Sequence, residues 1–213
     1  MFYRPRRLPV FFLLDTSKEM SGTLQVTLQD GLLVVKYEIT RSAVASQHVY
    51  MAACTFGEQA TVQGLVPAEA FLLPSWYAQG QCHLKPALLS LIDALTYDLL
   101  ANRPDRPGDY APLVFLIVGD DPSDSWEDTL QQLVAINDNR HPLIITLVTR
   151  PELVRRMRVL SRHVLLLQPA EAASMTNFFF WVAHVIIKVC ADCEQGATVV
   201  DFPALPYGVV VPL

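Results

Sequence analysis

The chain has 213 residues, 52% of them hydrophobic and only 17% charged, with a formal net charge of −5. That length fits one large domain, at roughly 100–200 residues per domain. The apolar bias fits a sheet buried on both faces, and the acidic balance excludes the electrostatic footprint of a nucleic-acid binder.

Arg4, Arg6 and Arg7 precede an apolar run over residues 8–14 that ends at Asp15. The run sits at the bottom of the roughly 7–15-residue range of a signal-peptide core, and no small-residue cleavage site follows it. It reads instead as a first strand. Being apolar on both faces, it implies a parallel sheet covered by helices on each side. Ligands of open α/β sheets gather outside the carboxyl ends of the strands, which puts Asp15, Thr16, Ser17 and Glu19 where such a fold carries its site. Leu24, Leu28, Leu32, Val35 and Ile39 then recur at helical spacing, with Gly31 weakening that helix by about 1 kcal/mol against Ala. Residues 47–56 read as a second strand and 60–66 as a third, joined by a short turn, so the third is an antiparallel edge strand. Residues 67–81 form a loop region with one helical turn at 68–72. Leu84, Leu88, Leu91, Leu95 and Leu99 make the next helical stripe, with Pro86 tolerated in its first turn.

Residues 102–110 read as a surface loop, and residues 113–118 as the most apolar and central strand. Ser123, Asp124 and Ser125 open the following helix, where Ser125 and Asp128 resemble a capping box. Residues 143–148 form a fifth strand, 151–160 a short basic helix and 164–167 a sixth strand. The basic cluster Arg155, Arg156, Arg158 and Arg162 reads as a solvated face. Met175, Phe178, Phe179, Val182, Ile186 and Val189 are the stripe of a last helix. His184 and Lys188 interrupt it, short of the roughly 18 apolar residues of a membrane span, so the expectation is a cytoplasmic protein with no membrane span. Cys54 reads as a buried thiol. Cys190 and Cys193, without a second pair, read as two thiols at a helix end rather than a zinc site. The alternation implies right-handed crossovers and a three-layer, doubly wound, Rossmann-like α/β fold, mostly parallel with one antiparallel edge strand. Residues 1–190 form the domain, and 191–213, with Pro203, Pro206 and Pro212, an extended tail.

Residues 8–22, LPVFFLLDTSKEMSG, resemble the opening of a von Willebrand factor A domain, whose first strand leads into an Asp-x-Ser-x-Ser metal motif. Residues 111–126, APLVFLIVGDDPSDSW, resemble that family's fourth strand and its Thr-Asp-Gly-x-Pro-x-Asp continuation. The PSDSW ending and FFFWV at 178–182 are similar to the TerY-type branch associated with tellurite resistance. The resemblance implies one Mg²⁺ held by oxygen ligands from three loops: an Asp and two Ser, then a Thr, then a second Asp. Asp15 and Ser17 match the first two ligands. Glu19 stands for the second Ser, Cys82, followed by His83 and Leu84, for the Thr, and Gly119 for the second Asp, with Asp120 one residue beyond. A thiol is a poor ligand for Mg²⁺, Gly119 supplies no side-chain oxygen, and a one-residue shift at a strand end turns a side chain to the other face. The expectation is a degenerate site without its metal and no other cofactor.

No Gly-rich phosphate loop or G-x-S-x-G motif is present, and adjacent loop residues such as Cys82 and His83 rarely reach nucleophile–base geometry. The resemblance therefore implies a non-catalytic protein-interaction module of a bacterial stress-response system of the tellurite-resistance kind, with kinase or phosphatase modules as its partner class. It would bind at the carboxyl edge of the sheet. Aromatic side chains are enriched in interface cores, so Trp76, Tyr77 and Trp126, with His83 and Asp121, are the candidate contact residues. The alternative is a metal-dependent ligand-binding protein using Asp15, Ser17, Glu19 and Asp120.

Overall fold

The computed structural model describes residues 5–197 and 201–212, so Arg4 and part of the tail lie outside the described residues. Strand β1, Leu8–Asp15, is buried over all eight residues. It runs parallel to β2, Val49–Phe56, on one side and to β4, Leu113–Val118, on the other. Adding β3 (Ala60–Pro67), β5 (Leu143–Val148), β6 (His163–Leu167) and β7 (Val209–Val210) gives a seven-stranded sheet in the order β3-β2-β1-β4-β5-β6-β7. Strand β3 is the anticipated antiparallel edge. The far edge ends in two antiparallel residues as well, Val209 and Val210 on Leu167 and Leu166. The chain leaves β1 for β2 in one direction and returns beyond it to β4 in the other, so the strand order reverses between β1 and β4. That reversal opens a crevice at their carboxyl ends.

Alternation along the strands divides the core into two layers. Phe12, Leu14, Phe115 and Ile117 face the layer containing α1 (Thr23–Arg41), α2 (Ala45–His48) and α6 (Ala172–Glu194). Phe11, Leu13, Leu116 and Val118 face α3 (Lys85–Tyr97), α4 (Leu130–Val134) and α5 (Leu153–Met157). Helix α6 is long and apolar enough by composition to cross a membrane, but Phe178, Phe179, Val182 and Ile186 are fully buried in the first layer. Gly31 is where α1 and α6 meet: a Cβ there would lie 2.0 Å from the Phe179 ring. What reads in sequence as a helix defect is the notch that admits Phe179.

Three local expectations are revised. The basic helix shrinks from residues 151–160 to Leu153–Met157. The loop at 102–110 is not purely surface: Asp109 is buried and holds the Arg7 guanidinium and the Leu100 amide, the latter at 2.8 Å. The last helix runs on to Glu194, into the residues expected as tail; beyond it the tail packs on the domain, with Trp181 Nε1 donating to the Pro203 carbonyl at 3.0 Å and Phe202 ringed by Trp181 and His163. The Cys190 thiol is buried and pushed up to about 12 by that burial, which keeps it protonated and inert.

Gly31→Ala tests the α1–α6 notch. Ala gains about 1 kcal/mol of helix propensity, whereas overpacking a well-filled core costs roughly 1–3 kcal/mol. Because the new methyl would fall inside the Phe179 ring, overpacking wins. The variant should be less stable in urea unfolding than the natural protein; a more stable variant would contradict this packing.

Candidate functional site

The crevice at the carboxyl edge is built from four loops knitted by backbone hydrogen bonds. After β1, Thr16 donates its amide and its hydroxyl to the Phe56 carbonyl, at 2.7 and 2.9 Å. Gln79 donates to the Thr16 carbonyl at 2.8 Å and Lys18 to the Gly80 carbonyl at 3.2 Å. His83 donates to the Gly57 carbonyl at 3.1 Å, and Ser123 to the Cys82 carbonyl at 3.0 Å. Asp124 accepts from the amides of Leu84 and Lys85 at 3.0 and 2.7 Å, satisfying two orphan donors at the start of α3. The capping box expected at Ser125 does not form: Ser125 makes no side-chain cap and the chain continues as a 3₁₀ turn, Trp126–Thr129. The acidic residue of that loop serves a different helix.

At the centre lies Asp15, fully buried. Its Oδ1 accepts from the Ser17 amide at 2.7 Å; its Oδ2 accepts from the amides of Gly119 and Asp120 at 2.9 and 3.1 Å. Burial pushes its carboxyl above the ordinary carboxylate range, and these amide donors oppose the shift. Ser17 Oγ is buried without a well-formed hydrogen bond, close enough to the same carboxylate to help lower its pKa. The Cys82 thiol is buried beside it, raised by burial and by the charge of Asp15. A thiol held protonated is neither nucleophile nor metal ligand.

Four expected site residues are placed otherwise. Glu19 is exposed, because the 3₁₀ turn Lys18–Met20 points Met20 inward in its stead. Asp120 is ion-paired, its Oδ1 accepting from Arg150 Nη2 at 2.6 Å. Trp126 is wholly buried under α3 and α4, with the Arg156 guanidinium 5.8 Å from its ring centre. Trp76 is buried in the α1 layer, where its carbonyl accepts from Gln25. Both tryptophans are core residues, which a loop context in sequence does not reveal. Tyr77 is 81% exposed, His83 is half-buried, and Asp121 is exposed and paired with Arg156 at 2.8 Å.

Sequence reasoning missed Met20 and Arg150. A Cβ at position 119 would lie 2.3 Å from Met20 Sδ, so the thioether fills the space that a third-loop carboxylate would need. Its signal was available: Met20 is the one apolar side chain among the polar residues 15–22. Arg150 follows β5, the neighbour of β4, and its signal was that position. Nor is the basic cluster a simple solvated face, since Arg156 also grips Glu127 and the Pro122 carbonyl.

Mg²⁺ takes near-octahedral oxygen ligands at about 2.1 Å. Here Asp15 spends its oxygens on three amides, Met20 supplies sulfur, Glu19 points outward and Asp120 is neutralised by Arg150. Among the described residues, no group of three or more His, Cys, Asp and Glu side chains converges on a point. As arranged, these residues do not fit the metal shell, and the set Asp15, Ser17, Glu19 and Asp120 is not assembled.

No protein-family model matches the chain, and no curated protein does. Solved structures do. The pilus adhesin SpaC from Lactobacillus rhamnosus GG superposes with a TM-score of 0.69 at 11% identity, over 88% of this chain and 31% of that one. A von Willebrand factor type A protein from Catenulispora acidiphila gives 0.61 at 12%, over 85% of this chain and 43% of that one. Proximal thread matrix protein 1 from the mussel byssus gives 0.58 at 10%, over 87% and 48%. The chain thus spans 31% to 48% of the length of these structures, and what it shares with them is the fold. That fold is the von Willebrand factor A-like α/β fold.

Asp15→Ala would strand three buried amides, each costing about 1–3 kcal/mol when left unpaired. The variant should lose at least about 2 kcal/mol in urea unfolding. Because burial holds the folded pKa of Asp15 above its unfolded value of about 3.9, ionising it is costlier in the folded state. The natural protein's advantage over Asp15→Ala should therefore be largest below the unfolded pKa and shrink as pH rises through the folded one. An advantage that grows over that window would contradict the burial of this charge.

Proposed function

We propose that this chain is a non-catalytic protein-interaction module that engages a partner at the carboxyl edge of its sheet without Mg²⁺, its metal site being degenerate. The observation that carries this reading is the replacement of the metal's work by the chain's own groups. Backbone amides hold Asp15, Met20 fills the space beside Gly119, and the Arg150 guanidinium supplies the positive charge next to Asp120. The surface around this plug carries the exposed Tyr77 and Asp121 and the half-buried His83, and an amphipathic aromatic such as Tyr77 is suited to an interface core. The likeness in fold to a pilus adhesin and to a mussel thread matrix protein supports an interaction role over an enzymatic one. Cys54, Cys82, Cys190 and Cys193 form no disulfide, which supports a reducing, cytoplasmic setting. The TerY-like stretches at 122–126 and 178–182 place the module, in this reading, in a tellurite-resistance-like stress response with kinase or phosphatase modules as partners.

One observation favours the metal-dependent alternative: the buried Ser17 Oγ lacks a partner that a cation would provide. Thermal melts separate the two. A ligand that binds only the native state stabilises it by about 2.7 kcal/mol at 100 times its dissociation constant. The proposed reading expects the same melting temperature in millimolar Mg²⁺ and in EDTA. Restoring the family's ligands with Glu19→Ser, Cys82→Thr and Gly119→Asp requires Met20→Ala as well, because the new Cβ at 119 would strike Met20. Only that fourfold variant should gain Mg²⁺-dependent stability. If the natural protein responds to Mg²⁺ and Asp15→Ala abolishes the response, the metal-dependent function replaces this one.

A further inference from the structure

We propose that the groove at the opposite end of the sheet is a second docking site, and that its occupant is an acidic amphipathic segment of a partner protein. The groove exists because two helices are short. Helices α4 and α5 have five residues each, about 7.5 Å of helix at 1.5 Å per residue. The six residues of β5 extend about 20 Å. At the start of β5 the cover is thin: it is enough to bury Ile144, but it leaves an open groove above that residue. Helix α4 stops early because residues 136–142, INDNRHP, place two Asn, one Asp and a Pro after it, with Asp138 in the left-handed region at φ 66°.

The resulting groove has a volume of about 820 Å³. Leu133 and Val134 form one wall, Val159 and Leu160 the other, and Ile144 the floor; Leu143, whose side chain belongs to the other face of the sheet, borders the rim. Val134 and Val159 are 69% and 62% exposed, apolar side chains facing each other's groove without a partner. The polar lining is one-sided: His141, Arg158, Arg162 and His163 border the groove and no acidic side chain does. In a chain of net charge −5, that absence of acids is a local bias. Among the described residues neither Arg158 nor Arg162 meets an acid, so both charges are left to the groove's border. Arg158 instead donates to the Pro212 carbonyl. An apolar floor with a cationic border is complementary to a segment carrying apolar residues on one face and Asp or Glu on the other. The groove lies at the start of β5 and the carboxyl-edge loops at its end, so the inference stands apart from the proposed function.

The test uses the whole chain and two fluorescent synthetic helical peptides, one of Leu and Glu in a helical repeat, the other with Lys at every Glu. The Leu–Glu peptide should bind, as read by anisotropy, and the Leu–Lys peptide should not. Arg162→Glu and Val134→Asp change exposed side chains that make no hydrogen bond among the described residues, so they should leave the thermal melt unchanged and weaken the Leu–Glu peptide at least tenfold each. No binding of that peptide, equal binding of the Leu–Lys peptide, or binding indifferent to both substitutions would overturn the proposal. Concentration-dependent self-association abolished by Val134→Asp would also overturn it, in favour of a second copy. Binding to anionic vesicles lost in Arg162→Glu, with no peptide bound, would do so in favour of a lipid surface.

Discussion

The carboxylate of Asp15 ties together the loops that follow β1 and β4, the paired strands at which the strand order reverses. It closes the end of β1 on the Ser17 amide and draws in the loop after β4 through the amides of Gly119 and Asp120. Everything at the carboxyl edge inherits its position from that junction. The loop after β4 then carries Asp124 to the start of α3 and Asp120 to Arg150 after β5. A fully buried carboxylate is costly to desolvate; three amide donors offset that cost, and the chain gains a fixed geometry for loops that otherwise hold no regular structure. Met20 completes the arrangement by filling the space beside Gly119, a site in which the absence of a side chain and the presence of a large one are mutually dependent.

Much of this was legible in the sequence because it rests on periodicity. The apolar runs that become β4 and β5, Leu113–Val118 and Leu143–Val148, coincide with their strands, since both faces of a central parallel strand must be apolar. The helical stripes gave α1, α3 and α6 for the same reason. What escaped was set by contacts between distant segments. Gly31 looks like a weak spot in α1 until Phe179 of α6 is placed against it. Trp76 and Trp126 look like surface aromatics because loops are usually solvated, yet both are covered by helices that the local sequence does not name. Asp124 looks like part of its own helix start but caps α3.

The candidate site divides in the same way. Asp15, Ser17, Cys82, Gly119 and Asp120 were identified from one-dimensional order, and the structure does bring their loops together. Their chemistry was decided by two residues outside that order. Met20 fills the space beside Gly119, and Arg150 pairs with Asp120. Glu19, the residue that seemed to add an acidic ligand, points to solvent because the turn that buries Met20 turns it outward. The result is a von Willebrand factor A-like scaffold whose carboxyl edge is held together by its own amides and side chains.

The account stands on the amides of Ser17, Gly119 and Asp120 being satisfied by Asp15 rather than by a metal-organised loop. Their ¹H–¹⁵N resonances report this directly. Titrating the natural protein with Mg²⁺ into the millimolar range should leave all three unshifted while they remain protected from hydrogen exchange. Saturable shifts confined to these three amides would show that a cation enters the carboxyl edge and rearranges it, and would contradict the account.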